Sequence, residues 1–289
     1  MIIWMIYQEV DAKKNEWYIR EHQAIGKAMG LDIHLKLVED LEIGVSEGTL
    51  FISEHKKIVE PPRAAIVRTI WPLLSEHLEA MGTRVFNPAS IAYMCNDKAR
   101  TYREISKLKI PMIPTEFVKK ENLSKKLVNE TKPCIIKSVD GHGGSEVFLI
   151  ENEEYQNELT QILSLHANDF VIQPYIKGRK QDLRVYVLGK KILACILRTA
   201  KEGFKSNFSL GGTVCEYQLS ADEHELVQKI INTYSFDLVG IDFLVNEEGK
   251  LIFNEIEDVV GARMLYQCTK INLVEEYISY IRHELDRHN

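Results

Sequence analysis

Val239-Gly-Ile-Asp-Phe-Leu-Val245 and Leu251-Ile-Phe-Asn-Glu-Ile-Glu257 read as two apolar strands, each carrying acid where a hydrophobic core tolerates none. Side chains alternate along a strand, so Glu255 and Glu257 fall on one face. Joining the strands through Asn246-Glu-Glu-Gly249 pairs positions whose numbers sum to about 495, with Asp242 opposite Phe253 and diagonal to Glu255. On that register all three carboxylates share a face. Like charges so close repel, and burying them unpaired costs several kcal/mol each. A cation between them resolves the conflict. Hard Mg2+, held by one or two carboxylates plus substrate phosphates, fits the donor set. A solvated hairpin face is the alternative, and the apolar flanks count against it.

The chain of 289 residues is too long for one small core and suits two or three lobes. With 45% hydrophobic and 27% charged residues and only 8 Pro and 16 Gly, neither disorder nor a fibrous repeat fits. A net charge of -6 and the lack of a basic stripe argue against nucleic acid as a partner. Met1-Ile-Ile-Trp-Met-Ile-Tyr7 is apolar but short and has no basic lead-in, so it reads as a first strand and not a signal peptide. No stretch approaches the roughly 20 apolar residues of a membrane span. Cys95, Cys134, Cys195, Cys215 and Cys268 are odd in number, widely spaced and without a Cys-x-x-Cys pair. They are expected to be reduced, mostly buried thiols of a soluble cytoplasmic protein rather than a disulfide framework or zinc site.

Strand and helix alternate over the first ninety or so residues: 2–7 extended, 16–29 helical and stopped by Gly30, 32–38 extended. Further strands are expected at 64–68 and 84–86, with a helix at 73–81 between them. Asn96-Asp97 caps a helix running to about Lys109, which Pro111 and Pro114 terminate ahead of a strand at 115–118. Strands at 134–139 and 146–150 flank the loop Asp140-Gly-His-Gly-Gly-Ser145 and form a hairpin with an oversized loop. A helix at 153–165, a strand at 170–173, and a hairpin of 183–188 with 192–197 follow. Helices at 222–234 and 273–285 bracket the acidic hairpin, the last of them amphipathic.

The glycine loop fits neither the P-loop spacing nor the dinucleotide fingerprint. Its three glycines, Gly141, Gly143 and Gly144, permit an anion-binding nest that closes as a lid, or equally a floppy turn. Lys137, on the strand entering the loop behind two apolar residues, needs a phosphate or carboxylate partner. Lys98, at the start of its helix, is a weaker signal. Asp182 and Arg184 point to one side of their strand, and Arg198 on the returning strand can join them. Structural salt bridging explains that trio equally well. The polar loop 201–212, with Asn207 and paired glycines, has the composition of a binding loop.

In chain order, Lys98, Lys137, Gly141 to Ser145, Gln173-Pro-Tyr-Ile176, Asp182-x-Arg184, Arg198, Ser206-Asn207, Gly211-Gly212, Asp242 and Asn254-Glu255-Ile-Glu257 resemble the motifs of the ATP-grasp enzymes, most closely the RimK-like branch. That branch includes ligases joining glutamate or other amino acids to a carboxylate. The resemblance covers roughly residues 90 to 289 and lies in the ordered series, each motif alone being weak. It implies that Lys98 and Lys137 reach the nucleotide phosphates and that Gly141, His142, Gly143, Gly144 and Ser145 close over them. Gln173, Pro174, Tyr175 and Ile176 would border the adenine, and Asp182 and Arg184 the ribose and phosphate side. Arg198 would stabilise the transferred phosphoryl group and Asn207 would lie by the reacting groups. Asp242 and Glu255 would hold Mg2+, singly or as two ions, with Mn2+ as a substitute. Glu257 stands where the family commonly has an Asn, and Asp258-Val-Val-Gly261 replaces the usual Ser-Pro-Gly.

The fold so implied is α/β (α+β): an N-terminal α/β pre-grasp lobe (1–92), a central lobe with the glycine flap (93–174) and a C-terminal lobe with the metal site (175–289). The last two would grip ATP between antiparallel sheets. The implied activity is ligation of a carboxylate to an amine through an acyl phosphate, with small molecules or a peptide as substrates. Arg63, Arg68 and Arg263 are candidates for gripping acidic substrates, the alternative being ordinary solvated arginines. A small-molecule kinase and an ATP-binding module without turnover are the rival readings. Neither membrane nor nucleic acid is an expected partner, and a homo-oligomer stays open.

Overall fold

The computed structural model describes residues 1–141, 146–152, 163, 168–176, 178–200 and 212–287. Strand β1 (Ile2–Tyr7) is apolar throughout and buried after its first residue, as a strand covered on both faces must be. Helices α1 (Glu9–Lys14) and α2 (Glu16–Ala28) lead to β2 (Asp32–Leu37), which runs parallel beside β1. An antiparallel unit of β3 (Leu41–Ser46), β4 (Thr49–Glu54) and β5 (Lys57–Ile58) departs from the expected alternation. Its turn rests on Glu47 and Gly48, both at positive φ (50° and 79°), the conformation of tight hairpins. The first sheet resumes with β6 (Ala64–Val67), helix α3 (Pro72–Ala80) and β7 (Arg84–Phe86), in the all-parallel order β2-β1-β6-β7.

Helix α4 (Ala89–Cys95) precedes α5 (Lys98–Ser106), which Asp97 caps by accepting from the Arg100 backbone N–H at 2.9 Å. Helix α5 stops at Ser106 rather than near Lys109. A second sheet follows from β8 (Glu116–Val118), helix α6 (Leu123–Val128), β9 (Cys134–Ser138), β10 (Val147–Ile150) and β11 (Phe170–Pro174), antiparallel in the order β10-β9-β11-β8. The expected hairpin around the glycine loop is present, closed by Ser138 N–H donating to Glu146 O at 3.3 Å. The helix expected at 153–165 falls outside the described residues apart from Leu163.

The largest sheet is antiparallel and five-stranded: β12 (Gly178–Leu188), β13 (Lys191–Thr199), β14 (Thr213–Glu216), then after helix α7 (Ala221–Thr233) β15 (Leu238–Asn246) and β16 (Leu251–Glu257), ordered β14-β13-β12-β15-β16. Helices α8 (Arg263–Cys268) and α9 (Leu273–Arg287) close the chain. The period-2 rule divides β12 cleanly. Leu183, Val185 and Val187 pack with α4, α5 and α7, whereas Tyr186 and Leu188 pack with α9 and the β1–α2 layer. Asp182 and Arg184 share the parity of Tyr186, so the apolar face turns polar toward the start of β12.

The register of β15 and β16 corrects the regular pairing expected from the sequence. Asp242 lies opposite Glu255, not Phe253, while Phe243 faces Phe253. One extra residue, Asn254, is therefore bulged out between them. The bulge flips the parity of β16: Phe253 stays with the core around α5, and Glu255 joins Asp242 on the opposite face. Without it, Glu255 would point with Phe253 into apolar packing.

Candidate active site

The polar row begins with a charge network. The Arg184 guanidinium forks Asp242, donating from Nε to Oδ1 at 2.8 Å and from Nη2 to Oδ2 at 2.7 Å. Its Nη2 also lies 2.6 Å from Glu257 Oε1. Arg198 donates to Asp242 Oδ2 at 2.7 Å and pairs with Asp182. These contacts follow from strand pairing, since Asp182 is opposite Arg198 and Arg184 opposite Asp242. Burial alone would raise the Asp242 carboxyl, but Arg184 and Arg198 outweigh it and hold it down at about 2. Asp182 goes the other way: burial pushes it to about 6 against the pull of Arg198, and the Asp242 charge adds to the rise.

Glu255 takes no part in those ion pairs, although carboxylate oxygens of Asp242, Glu255 and Glu257 all lie within 4.8 Å of one another. Among the described residues four carboxylates thus face two guanidiniums, and one acceptor, Asp182 Oδ1, is buried without a partner. The uncompensated negative charge and the hard oxygen donors fit a divalent cation. Asp242, Glu255 and Glu257 are the residues that would hold it.

Opposite this edge stand two lysines. Lys137, on β9, reaches across to the bulged residue and donates to Asn254 Oδ1 at 3.1 Å. Desolvation pulls its ammonium down to about 8, Glu255 opposing the drop and Lys98 adding to it. Lys98, the first residue of α5, is buried, donates from its backbone N–H to Val139 O at 2.7 Å and from Nζ to Gly141 O. It is thereby pinned to the mouth of the glycine loop. Gly141 itself has no room for a side chain, because a Cβ there would lie 2.9 Å from the Glu146 Cβ. Its neighbours His142, Gly143, Gly144 and Ser145 lie outside the described residues, as do Ser206, Asn207 and Gly211.

A cavity of about 260 Å³ opens here, lined by Lys98, Asn96, Asn254, Glu255, Glu257 and Asp258 among others. Gln173, Pro174, Tyr175 and Ile176 are not in its lining. Gln173 is buried and donates to Thr115 Oγ1 at 2.8 Å, and Tyr175 N–H donates to Pro133 O at 3.0 Å. They carry the chain from the second sheet into β12.

Two contributors escape sequence reasoning. Asn87, after β7, accepts from Asp237 N at 2.7 Å and Leu238 N at 3.1 Å and donates to Leu238 O and Asp258 O. It ties the first sheet to the acidic hairpin and to the segment following it. Asp258 lines the cavity, and desolvation raises its carboxyl to about 6. Only Asn87-Pro88, a common turn pair, hinted at the first. Of the three arginines considered for acidic substrates, Arg68 and Arg263 line a second cavity of about 520 Å³, and Arg63 lines neither.

A parallel α/β layer joined to two antiparallel sheets, with Lys137 on one, Lys98 on the helix beside it and a carboxylate–arginine row on the other, is the architecture of ATP-grasp proteins. The profile of the RimK-like ATP-grasp domain matches residues 95–281, and the chain belongs to that family. An uncharacterized protein of Mycoplasma pneumoniae is 30% identical over 209 residues, 70% of each chain. Beta-citrylglutamate synthase B of Danio rerio is 27% identical over 240 residues, 78% of this chain. The match spans 59% of that enzyme's length. The solved RimK-domain ATP-grasp protein of Sphaerobacter thermophilus superposes with a TM-score of 0.72 at 16% identity, covering 97% of this chain and 99% of its own. The family places the protein among ATP-dependent ligases that form carbon–nitrogen bonds. Among the described residues, no helix is long and apolar enough to cross a membrane.

Proposed function

We propose that the chain joins an amino-acid or peptide carboxylate to an amine, with ATP bound between the two antiparallel sheets of lobes 93–174 and 175–289 and lobe 1–92 set against them. The observation that carries this reading is the convergence of Lys98 and Lys137 on the edge formed by Asp242, Glu255 and Glu257. The substrate carboxylate attacks the γ-phosphoryl group, ADP leaves, and the acyl phosphate is attacked by the amine, expelling phosphate. Lys98 and Lys137 hold the phosphates. Arg198 faces the charge that builds on the transferring group, and Asn207 and the glycine loop enclose it. Gln173 and Tyr175 border the base, with Asp182 and Arg184 on the ribose and phosphate side. Magnesium held by Asp242, Glu255 and Glu257 would neutralise charge on the terminal phosphate oxygens. Glu257, in place of an Asn, has its charge taken up in part by Arg184.

Lys137→Ala is expected to lower substrate-dependent ADP release by about 10²-fold or more while circular dichroism stays unchanged. Mass measurement of the product decides the reaction. An amide supports ligation, whereas phosphorylated substrate without amide marks a kinase, and no turnover across an amino-acid and peptide panel marks a binding module. The pH sign also follows. The Lys137 charge is present below about pH 8 and lost above it. Affinity for a non-hydrolysable ATP analogue should therefore weaken about tenfold as pH rises through 8, and that step should vanish in Lys137→Met.

A further inference from the structure

The larger cavity lies at the carboxyl end of the first sheet, where the strand order reverses. From β1 the chain passes to β2 on one side, while β6 lies on the other and leads to β7. The crevice between β1 and β6 is thus a topological switch point, where open parallel sheets bind ligands. Tyr7 ends β1 and Arg68 follows β6; both line this cavity, with Tyr18 from α2 and Arg263.

The polar groups there are incompletely used. Tyr7 and Tyr18 are 2% and 7% exposed; among the described residues the Tyr18 hydroxyl has no hydrogen-bond partner, and the Tyr7 hydroxyl lies beside the Arg68 guanidinium. The Arg68 guanidinium sits 5.5 Å over the Tyr18 ring and donates from Nη2 to Val260 O at 3.0 Å, but its Nε has no partner among the described residues. No carboxylate of the described residues forms an ion pair with Arg68 or Arg263, whereas the one lining acid, Asp11, is paired with Lys14 at 3.0 Å. A desolvated guanidinium beside phenol donors, near the Asp258 carboxylate but in no direct ion pair among the described residues, is a costly arrangement unless a ligand supplies an anion. Arg184 lines the same cavity and forks Asp242, so its inner end abuts the carboxylate row.

We propose that Arg68, with the Tyr7 and Tyr18 hydroxyls, binds a second carboxylate of the substrate, one that is not activated, and so selects di- or tricarboxylates over monocarboxylates. The inference rests on the ligase reading, with the activated carboxylate beside Arg198, which shares Asp242 with the Arg184 that lines this cavity. Tyr18→Phe is the discriminating change. It keeps the ring under Arg68 and removes only a hydroxyl that bonds to none of the described residues, so a structural role predicts no loss.

Calorimetric titration of the full-length protein, saturated with magnesium and a non-hydrolysable ATP analogue, tests this with glutarate, tricarballylate and butyrate as probes. The wild type should bind the polycarboxylates at least tenfold more tightly than butyrate. Tyr18→Phe should cut that preference about tenfold, leaving butyrate and nucleotide affinity within twofold. Arg68→Met should abolish the preference and Arg68→Lys restore part of it. An unchanged preference in Tyr18→Phe, no preference in the wild type, or no polycarboxylate binding would each overturn the assignment. Failure of the ligase reading is separate: the preference and its sensitivity to Tyr18 would persist with no amide formed from any amine.

Discussion

Glu255→Ala is expected to reduce ATP-dependent turnover by roughly 10²–10³-fold or more while leaving the chain folded. Glu255 stands opposite Asp242 on the five-stranded sheet, lines the smaller cavity and belongs to none of the arginine ion pairs. Its removal breaks no ion pair of the described residues and takes from Lys137 only a nearby favourable charge, so the stability change should stay within about 1 kcal/mol. What is lost is the carboxylate least neutralised by the protein and hence the one most available to a cation. ADP release and a urea midpoint, measured on the same preparation, check both halves. Activity within threefold of wild type would remove Glu255 from the site, and a collapsed midpoint would make it structural.

Asp242→Asn should behave differently, losing activity and stability together. Asp242 is 1% exposed and accepts two hydrogen bonds from Arg184 and one from Arg198. Removing its charge leaves two buried guanidiniums short of counter-charge, which costs about 3–5 kcal/mol, a large share of a typical domain's stability. The amide can still accept one bond, so the lower end of that range applies. Because the penalty is that of a stranded cation, Asp242→Asn combined with Arg184→Met should cost less than the sum of the single changes, a coupling read by a double-mutant cycle in urea. Strict additivity would show that the fork seen here contributes nothing to stability.

The contrast between these neighbours separates what was legible from what was not. Acid within Val239–Val245 and Leu251–Glu257 marks the site because apolar strands carry charge only where something neutralises it. The order of Lys98, Lys137, Asp182, Arg184, Arg198, Asp242 and Glu255 was equally legible. The structure brings the last four together with Asp182 on one sheet. Alternation alone could not place Asn254. A bulge leaves no mark in a hydrophobic pattern, and the pairing with Asp242 opposite Phe253 keeps the three carboxylates on one face but puts Phe253 there with them instead of in the core. Nor could it show that Arg184 links Asp242 to Glu257, or that Asn87 fastens one sheet to another across the chain. The helix expected at 153–165, apart from Leu163, and the loop carrying Asn207 fall outside the described residues.

By itself the sequence determined the local matter: which segments are strands or helices, which carry charge on an apolar face, and in what order those charges come. Period and composition act over a few residues, and the sequence states them directly. Only the tertiary structure decided the bulge at Asn254, the sharing of two arginines among three carboxylates, and the meeting of Tyr7, Tyr18 and Arg68 at the switch point. Those depend on which distant strands pair and in which register, a choice made by burying apolar surface across the whole chain, to which no local pattern gives access.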